Sequence, residues 1–439
     1  MRIRRRAIAA TAAAALVPLA LVATAQSASG DEDHGRDVLA PNDGWAAADG
    51  GTTGGAAADD EHVYRVSTWQ EFRDALGGED ARGDTTPRIV YVEGRLDANT
   101  TADGERLSCD DYADPEYDFD EYLRTYDPEG EWGYRDPEGP LEEARDRSHE
   151  NQDDHVRQYV GSNVTIIGVG DDAAITHGSL TVRDSDNVII RNLHLSNAYD
   201  CFPAWDPGDS GGKWNSEFDN LWIATSTHVW VDHNTFDDGD DPPQSLPRHY
   251  GEKYEVHDGL LDITNGADLV TSSYNVFREH DKMMLFGSTD NPRLDRGKLR
   301  ITMHHNLVED SGQRTPRVRF GEVDVYNNYY VEPESDGFHY HWGVGVESQI
   351  YAENNYFSLV GIEPAEIIHE WRGSQLTDVG TLVNGRDPAN RVDVVAEYNA
   401  ANDPDLTDVE WTPHLRTTVH PTQSVPGVVT DNAGAGKLD

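Results

Sequence analysis

From Val160 onward the chain repeats one texture. Short runs rich in β-branched and aromatic residues alternate apolar with polar positions, and each closes on an asparagine. The runs are Val188-Ile189-Ile190-Arg191-Asn192, Val229-Trp230-Val231-Asp232-His233-Asn234, Val270-Thr271-Ser272-Ser273-Tyr274-Asn275, Ile301-Thr302-Met303-His304-His305-Asn306, Val325-Tyr326-Asn327-Asn328 and Tyr351-Ala352-Glu353-Asn354-Asn355. Alternation at period two predicts strands. The closing asparagines lie 22 to 42 residues apart with no helical pattern between them. Recurrence of this kind predicts a solenoid of stacked strands. An asparagine at one corner of every coil can ladder its amide to the coils above and below. A β-sandwich with asparagine in its hairpin turns is the alternative. The irregular spacing, with loops of variable length, favours a parallel β-helix.

The first part of the chain reads differently. Ser67-Thr68-Trp69-Gln70-Glu71, followed by Phe72 and Leu76, predicts a short capped helix. Arg88 to Glu93 predicts a strand. A long polar excursion runs from about Asp97 to His155, with a helix from Pro140 to Asn151. Residues 1–25 read as an export signal: Arg2, Arg4, Arg5 and Arg6, then an apolar run from Ala7 to Val22, then Ala23-Thr24-Ala25. The adjacent arginines fit twin-arginine export. Residues 26–62 are dominated by Asp, Gly and Ala and predict a disordered tether. Order is expected from Val63, with residues 63–439 as one domain.

Composition narrows the function. The 439 residues carry 81 Asp+Glu against 35 Lys+Arg, a formal net charge of -46. That excludes general nucleic-acid binding and docking on an anionic membrane surface. Acidity on this scale costs stability by self-repulsion and is a device of halophiles. A salt-loving source is therefore expected. A monomer is the default expectation. Cys109 and Cys201 are the only cysteines, so one bridge is the only internal pairing, with two free buried thiols as the alternative.

Against this acidity, Gln313-Arg314-Thr315-Pro316-Arg317-Val318-Arg319 packs three arginines into six residues. In so acidic a chain they must face something anionic. Period two puts Arg317 and Arg319 on one face of a strand. Lys282 lies upstream in Glu279-His280-Asp281-Lys282. Further upstream are Asp219, Asp258 and Asp262, hard oxygen donors of the kind that suits Ca²⁺. Any one of these carboxylates alone would pass for a solvated surface acid.

Four stretches together resemble the pectate lyases of polysaccharide lyase family 1. They are Thr227 through Phe236; His257-Asp258-Gly259 through Asp262; His280-Asp281-Lys282 with Leu285-Phe286-Gly287; and Gln313 through Gly321. The resemblance runs from about Val63 to the end. It implies a right-handed parallel β-helix, all-β with a short N-terminal capping helix and long loops on one side. It implies Ca²⁺ held by Asp219, Asp258 and Asp262, with Glu217 as an extra ligand candidate. It implies Arg314 as catalytic base and Lys282 and Arg319 as substrate-gripping residues. Arg317 matches no catalytic position and is assigned a peripheral role. Trp230, Asp232 and His233 are read as structural. Cys201, just before the matching Phe202-Pro203-Ala204-Trp205 segment, is paired with Cys109 in this reading. Asp324 departs from the family, where many members carry His, and is read as one more acidic surface exchange.

The implied partner is polygalacturonate, cleaved by β-elimination. The proton at C5 leaves and the C4–O bond breaks, so charge gathers on the uronate and must be stabilised by cations. An arginine base requires neighbouring cations that disfavour its charged form. Pectin lyase action on methylated substrate, and a non-catalytic polysaccharide-binding β-helix, are the rival readings.

Overall fold

The computed structural model describes residues 34–438. The repeats are coils of three strands. One coil runs through Leu261–Thr264, Asp268–Ser273 and Val276–Lys282; the next through Leu285–Phe286, Ile301–His304 and Leu307–Gln313. Equivalent strands of successive coils pair in parallel, for example Val270 with Ile301 and Val276 with Leu307. The first strands of the coils form an eight-stranded sheet, here called the cleft sheet, from Arg157–Tyr159 to Ile368–Trp371. The other two columns join into a 17-stranded assembly, bridged where the long strand Val164–Thr176 serves both. The architecture is a parallel β-helix, not a sandwich.

The corner between the second and third strands sets the height of every coil. Asn234 donates its backbone N–H and its Nδ2 to Oδ1 of Asn275, at 2.9 and 3.1 Å. Asn275 does the same to Asn306, Asn306 to Asn328, and Asn328 to Asn355. All five asparagines are 0% exposed. The residue before each is left-handed: His233, Tyr274, His305, Asn327 and Asn354 have φ between 50° and 56°. Non-glycine residues in that region cost about 1–2 kcal/mol each. The amide ladder, and rings that stack above one another (His233 on Tyr274 at 5.0 Å, Tyr274 on His305 at 4.8 Å), offset the strain. Asn192 is not a rung. Arg191 pairs with Asp232, so Asn192 falls at the left-handed position and Leu193 stands where the ladder would continue.

Inside the coils, side chains repeat in stacks. Phe236 lies on Phe277 at 4.8 Å, and Tyr330 on Phe357 at 4.4 Å. The N-terminal end is closed by the helix Trp69–Leu76, whose Trp69, Phe72 and Leu76 enter the core. Thr68 and Glu71 form its capping box. The polar excursion carries the helices Phe119–Thr125 and Pro140–Val156. Tyr122 and Tyr126 from it pack with Trp205, Trp214 and Tyr254 in a separate aromatic core. Cys109 and Cys201 are disulfide-bonded, with Cα atoms 5.4 Å apart across a separation of 92 residues.

Residues 34–62 are not a free tether. Ala46 N–H donates to Thr271 Oγ1 at 3.1 Å, Gly55 N–H to Thr165 Oγ1 at 2.8 Å, and Thr53 N–H to Asn187 Oδ1 at 2.6 Å. Leu39 and Ala46 pack against Ile189 and Trp230. Small residues here serve close approach: a Cβ on Gly55 would meet the Arg88 carbonyl oxygen at 1.9 Å. The composition that reads as disorder is the one needed to lie flat on a sheet. The export signal expected over residues 1–25, and the start of the expected tether, lie outside the described residues.

Asp324 also differs from expectation. It is 2% exposed, and Arg416 Nε donates to its Oδ2 at 2.9 Å. The carboxylate at this position is one half of a buried ion pair, not a surface exchange.

Replacing Asn306 by alanine leaves the buried backbone N–H of Asn275 without its acceptor, and should lower the unfolding free energy by about 1–3 kcal/mol. Urea titration of the variant measures it. Replacing Cys109 and Cys201 by serine should cost about 2–5 kcal/mol in the same assay. Unchanged midpoints would show that the ladder and the bridge are not what hold the coils and the excursion in place.

Candidate active site

The cleft sheet presents its outer face between the long loops, and the candidate residues sit at its edge or on it. Asp219 lies two residues before the start of the strand Leu221–Ala224. Asp258 precedes, and Asp262 belongs to, the strand Leu261–Thr264 one coil later. Parallel register aligns Trp222 with Asp262 and Leu221 with Leu261. Lys282 ends the strand that leads into the next coil and pairs with Gln313. Arg314 follows Gln313 at the end of that next coil, and Arg317 and Val318 form the cleft strand that opens the coil after it. The coil therefore delivers three acids, a lysine and the arginines in successive layers.

Gly259 lets the acids meet. Its N–H donates to Asp219 Oδ1 at 2.7 Å. A Cβ there would lie 2.5 Å from Asp262 Oδ1 and 2.8 Å from Asp219 Oδ1. Any side chain larger than hydrogen would fill the space between the two carboxylates. Both are 6% exposed. Burial, with the charges of Asp262 and Asp258, pushes Asp219 well above the ordinary carboxylate range. Burial and the Asp258 charge push Asp262 up to about 7, against the opposing pull of Arg314, the Leu285 N–H and Lys282. The acids and the two bases thus share one electrostatic neighbourhood. Glu217 is exposed, and no contact among the described residues joins it to the trio.

Among the described residues no three His, Cys, Asp or Glu side chains already close on one point as a complete metal shell. The three aspartates form an open donor set instead. A hard cation of high coordination number, Ca²⁺ above all, fits it: the donors are oxygens, Asp219 and Asp262 are buried, and the negative charges repel one another.

The basic side is built to stay available. Arg314 has left-handed backbone, φ 62°. Its carbonyl accepts from Met284 N–H at 2.8 Å, and the next residue is tied down through Thr315 N–H to the His341 carbonyl at 2.7 Å. Arg314 Nε is buried without a hydrogen-bond partner among the described residues. Arg319 is partly engaged already, its Nε donating to Asp290 at 2.8 Å and its Nη1 to the Gly287 carbonyl at 2.6 Å. Burial and neighbouring Arg314 lower its proton affinity. Arg317, assigned a peripheral role from sequence, lies in the same cluster. Burial, then Arg319 and Arg314, bring it down to about 10.

Sequence reasoning left one supporting group without a role. His280 is 2% exposed; its Nδ1 pairs with the fully buried Asp238 at 2.8 Å, and its Nε2 contacts the Asp258 carbonyl oxygen at 2.8 Å. Burial opposes its charged form, yet Asp238 raises it overall. His280 thereby holds the backbone that carries Asp258. It stands inside the quoted motif two residues before Lys282; only its partner across 42 residues was illegible. His233 lies at the asparagine corner, where Nδ1 pairs with Asp232 at 2.7 Å, outside the cleft sheet.

A family model described as pectate lyase matches residues 23–120 and 140–438. A pectate lyase of Bacillus subtilis (strain 168) is 45% identical over 413 residues, 93% of this chain and 95% of that protein. The solved structure of the thermostable pectate lyase PL 47 superposes with a TM-score of 0.89 at 47% identity, covering 92% of this chain and 99% of its own. A pectate lyase bound to hexasaccharide superposes with a TM-score of 0.87 at 44% identity, covering 93% and 100%.

Proposed function

The chain belongs to the pectate lyases of polysaccharide lyase family 1, and from that premise we propose that it is a secreted, calcium-dependent enzyme cleaving α-1,4-linked galacturonan to 4,5-unsaturated oligogalacturonates. That it is a polysaccharide lyase follows from the family itself. The observation that carries the finer reading is the electrostatic one: Asp219, Asp258 and Asp262 are crowded within reach of Lys282 and Arg314. A relative solved with a hexasaccharide supports an oligosaccharide in this cleft. Secretion rests on the residues before Ala25, and operation in concentrated salt on the net charge of -46.

In this reading Arg314 removes the C5 proton of a galacturonate unit. The electrons of that C–H bond become the C4–C5 double bond as the C4–O bond breaks, and the departing oxygen takes a proton from solvent. Lys282 and Arg319 hold the uronate oxygens on which charge builds. Ca²⁺ bound by the three aspartates would supply positive charge to the same carboxylate. Methyl esterification removes the charge that these groups recognise, which favours pectate over methylated pectin.

The direct test is ultraviolet absorbance of the unsaturated product from polygalacturonate, with and without chelator. Turnover that stops on chelation and returns with added Ca²⁺ is expected; survival in excess chelator would remove the metal from the proposal. Arg314→Ala should lose at least about 10²-fold in kcat with an unchanged melting curve, and wild-type rates in that variant would end the assignment of the base.

Acidity gives a second, activity-free test. Between the ordinary value of 3.8 and about 7, folded Asp262 holds a proton that the unfolded chain has released. The carboxyl therefore costs stability as pH rises through that window. A cation needs the ionised form. Added Ca²⁺ should raise the melting temperature more near pH 8 than near about pH 5.5, and Asp262→Asn should abolish that difference. A Ca²⁺ effect of equal size at both pH values would place the ion elsewhere.

A further inference from the structure

The strap over residues 34–62 and the C-terminal segment over residues 409–422 both cross several coils, and they meet at a row of histidines. Trp45 N–H of the strap donates to Thr302 Oγ1 at 3.0 Å. Gly44 N–H donates to the Leu415 carbonyl at 3.0 Å, and Thr417 Oγ1 to Asp43 Oδ1 at 3.1 Å. The C-terminal segment is clamped at His420. Its N–H donates to Asn327 Oδ1 at 2.6 Å, and its carbonyl accepts from Nδ2 of Asn327 and Asn354 at 2.9 and 3.2 Å. Asn327 and Asn354 are the left-handed corner residues of two successive coils, and His305 holds the same position one coil earlier.

At that earlier corner a ring replaces the amide. His305 Nδ1 lies 2.8 Å from His304 Nδ1, and His305 Nε2 lies 2.8 Å from His420 Nδ1. His304 Nε2 stands 3.3 Å from Asp43 Oδ1, at ion-pair distance but outside hydrogen-bond geometry. Asp43, His304, His305 and His420 thus form a continuous row from the strap to the C-terminal segment. His304 and His305 are each 2% exposed. The charged groups around the row are committed elsewhere. Asp324 and Glu353 are bonded to Arg416, and Asp232 to Arg191 and His233. Tyr326 stacks on His304 at 5.0 Å and Tyr274 on His305 at 4.8 Å. Burial raises both phenols, so they stay uncharged.

Hydrogen counting limits what the row can hold. Each neutral imidazole carries one N–H, so the neutral row carries three hydrogens. Each of the two nitrogen–nitrogen contacts accommodates one. The outer nitrogens, His304 Nε2 and His420 Nε2, accommodate one each. Four hydrogens fill every place, so the row accepts a single added proton. A second would set two N–H groups head to head across 2.8 Å. Burial, then the charges of His304 and His420, push His305 well below the usual imidazole range. The one added proton therefore belongs on an outer ring, and the Asp43 carboxylate favours His304.

We propose that this row is an acid-sensitive clasp. It joins the strap to the C-terminal segment while it carries at most one added proton, and a second proton parts them. The closed clasp keeps Leu39 and Ala46 over Ile189 and Trp230, an apolar face that opening would uncover. Below the ordinary imidazole value of about 6.5 the unfolded chain takes up three protons on these residues and the folded chain one. The unfolded state then binds two more, so stability is lost as pH falls through that value. At the limit the unfolding constant grows about a hundredfold per pH unit. Above about pH 7.5 the rings are neutral in both states and this loss vanishes.

His305→Asn is the test, because asparagine is what the fold itself places at this corner in the next two coils. The substitution uncouples His304 from His420, and each can then charge alone. Urea titrations between about pH 8 and pH 4.5 should show the acid dependence of the unfolding constant shallower in the variant, by up to about a hundredfold per pH unit. Parallel profiles overturn the clasp, since a merely structural loss is the same at every pH. Asp43→Asn removes the partner of the first proton, so its acid loss should begin about one pH unit higher than in wild type. An onset that does not move overturns the clasp as well. Hydrogen exchange of the unaltered protein, corrected for the intrinsic rate, locates the opening without any variant. Protection over residues 39–47 and 414–422 should fall together below about pH 5 while the strand Asp268–Ser273 keeps its own. Loss of all three together, or retention of both end segments, overturns the proposal.

Discussion

Everything in this molecule hangs on coils that turn the same corner at the same height. The ladder from Asn234 through Asn355 is a chain of buried amides, in which each side-chain oxygen from Asn275 onward accepts from the coil before and each amide nitrogen also donates back to a carbonyl of the preceding coil. Because the corner is shared, the strands after it begin in register, and residues of different coils fall into rows. A row is what brings Asp262, Lys282 and the arginines into one neighbourhood although nearly 60 residues of chain separate the first from the last (57 between Asp262 and Arg319). Coil length is free to vary, since the corner fixes only its ends. Long loops can therefore wall the cleft without disturbing its floor.

The electrostatics of the cleft are the reverse of those of the surface. A protein of net charge -46 concentrates positive charge along one sheet, only part of it paired, beside a small knot of desolvated acids. Each half alone is costly. Clustered carboxylates resist ionisation, and crowded guanidiniums hold their protons less tightly. In the proposed reading a polymer of uronates with a divalent cation would complete both at once, the cation answering the acids and the uronates the bases. Screening decides whether a polyanion can approach at all. At about 1 M salt the Debye length is about 3 Å, so distant surface acids vanish while contacts inside the cleft persist.

Glycine recurs in three settings with one physical meaning. At Gly55 the absent side chain lets an N-terminal strap lie on the sheet, at Gly259 it lets two carboxylates converge, and at Gly343 it lets Arg317 stretch to Trp371. In each case the residue is defined by what passes over it. Local sequence cannot distinguish this from flexibility, and for residues 34–62 the two readings give opposite structures.

What the sequence determined by itself was whatever is written in local period and order. Alternation at period two, asparagines closing each run, the Thr68 cap and the Pro140 start specify strands, corners and two helices from nearest-neighbour physics. The order of motifs names the family and puts forward Asp219, Asp258, Asp262, Lys282, Arg314 and Arg319 as its candidate residues. Register was beyond reach by a single residue at Asn192, because a corner's place is set by the strand beside it and not by its own side chain. Partners were beyond reach wherever they lie in another coil: Asp238 for His280, Arg416 for Asp324, Trp371 for Arg317. Those pairings span 42, 92 and 54 positions respectively (371 less 317 for the last). Only stacking of the coils closes such distances, which is why the tertiary structure alone decided which charges are spent on the scaffold and which remain for the substrate.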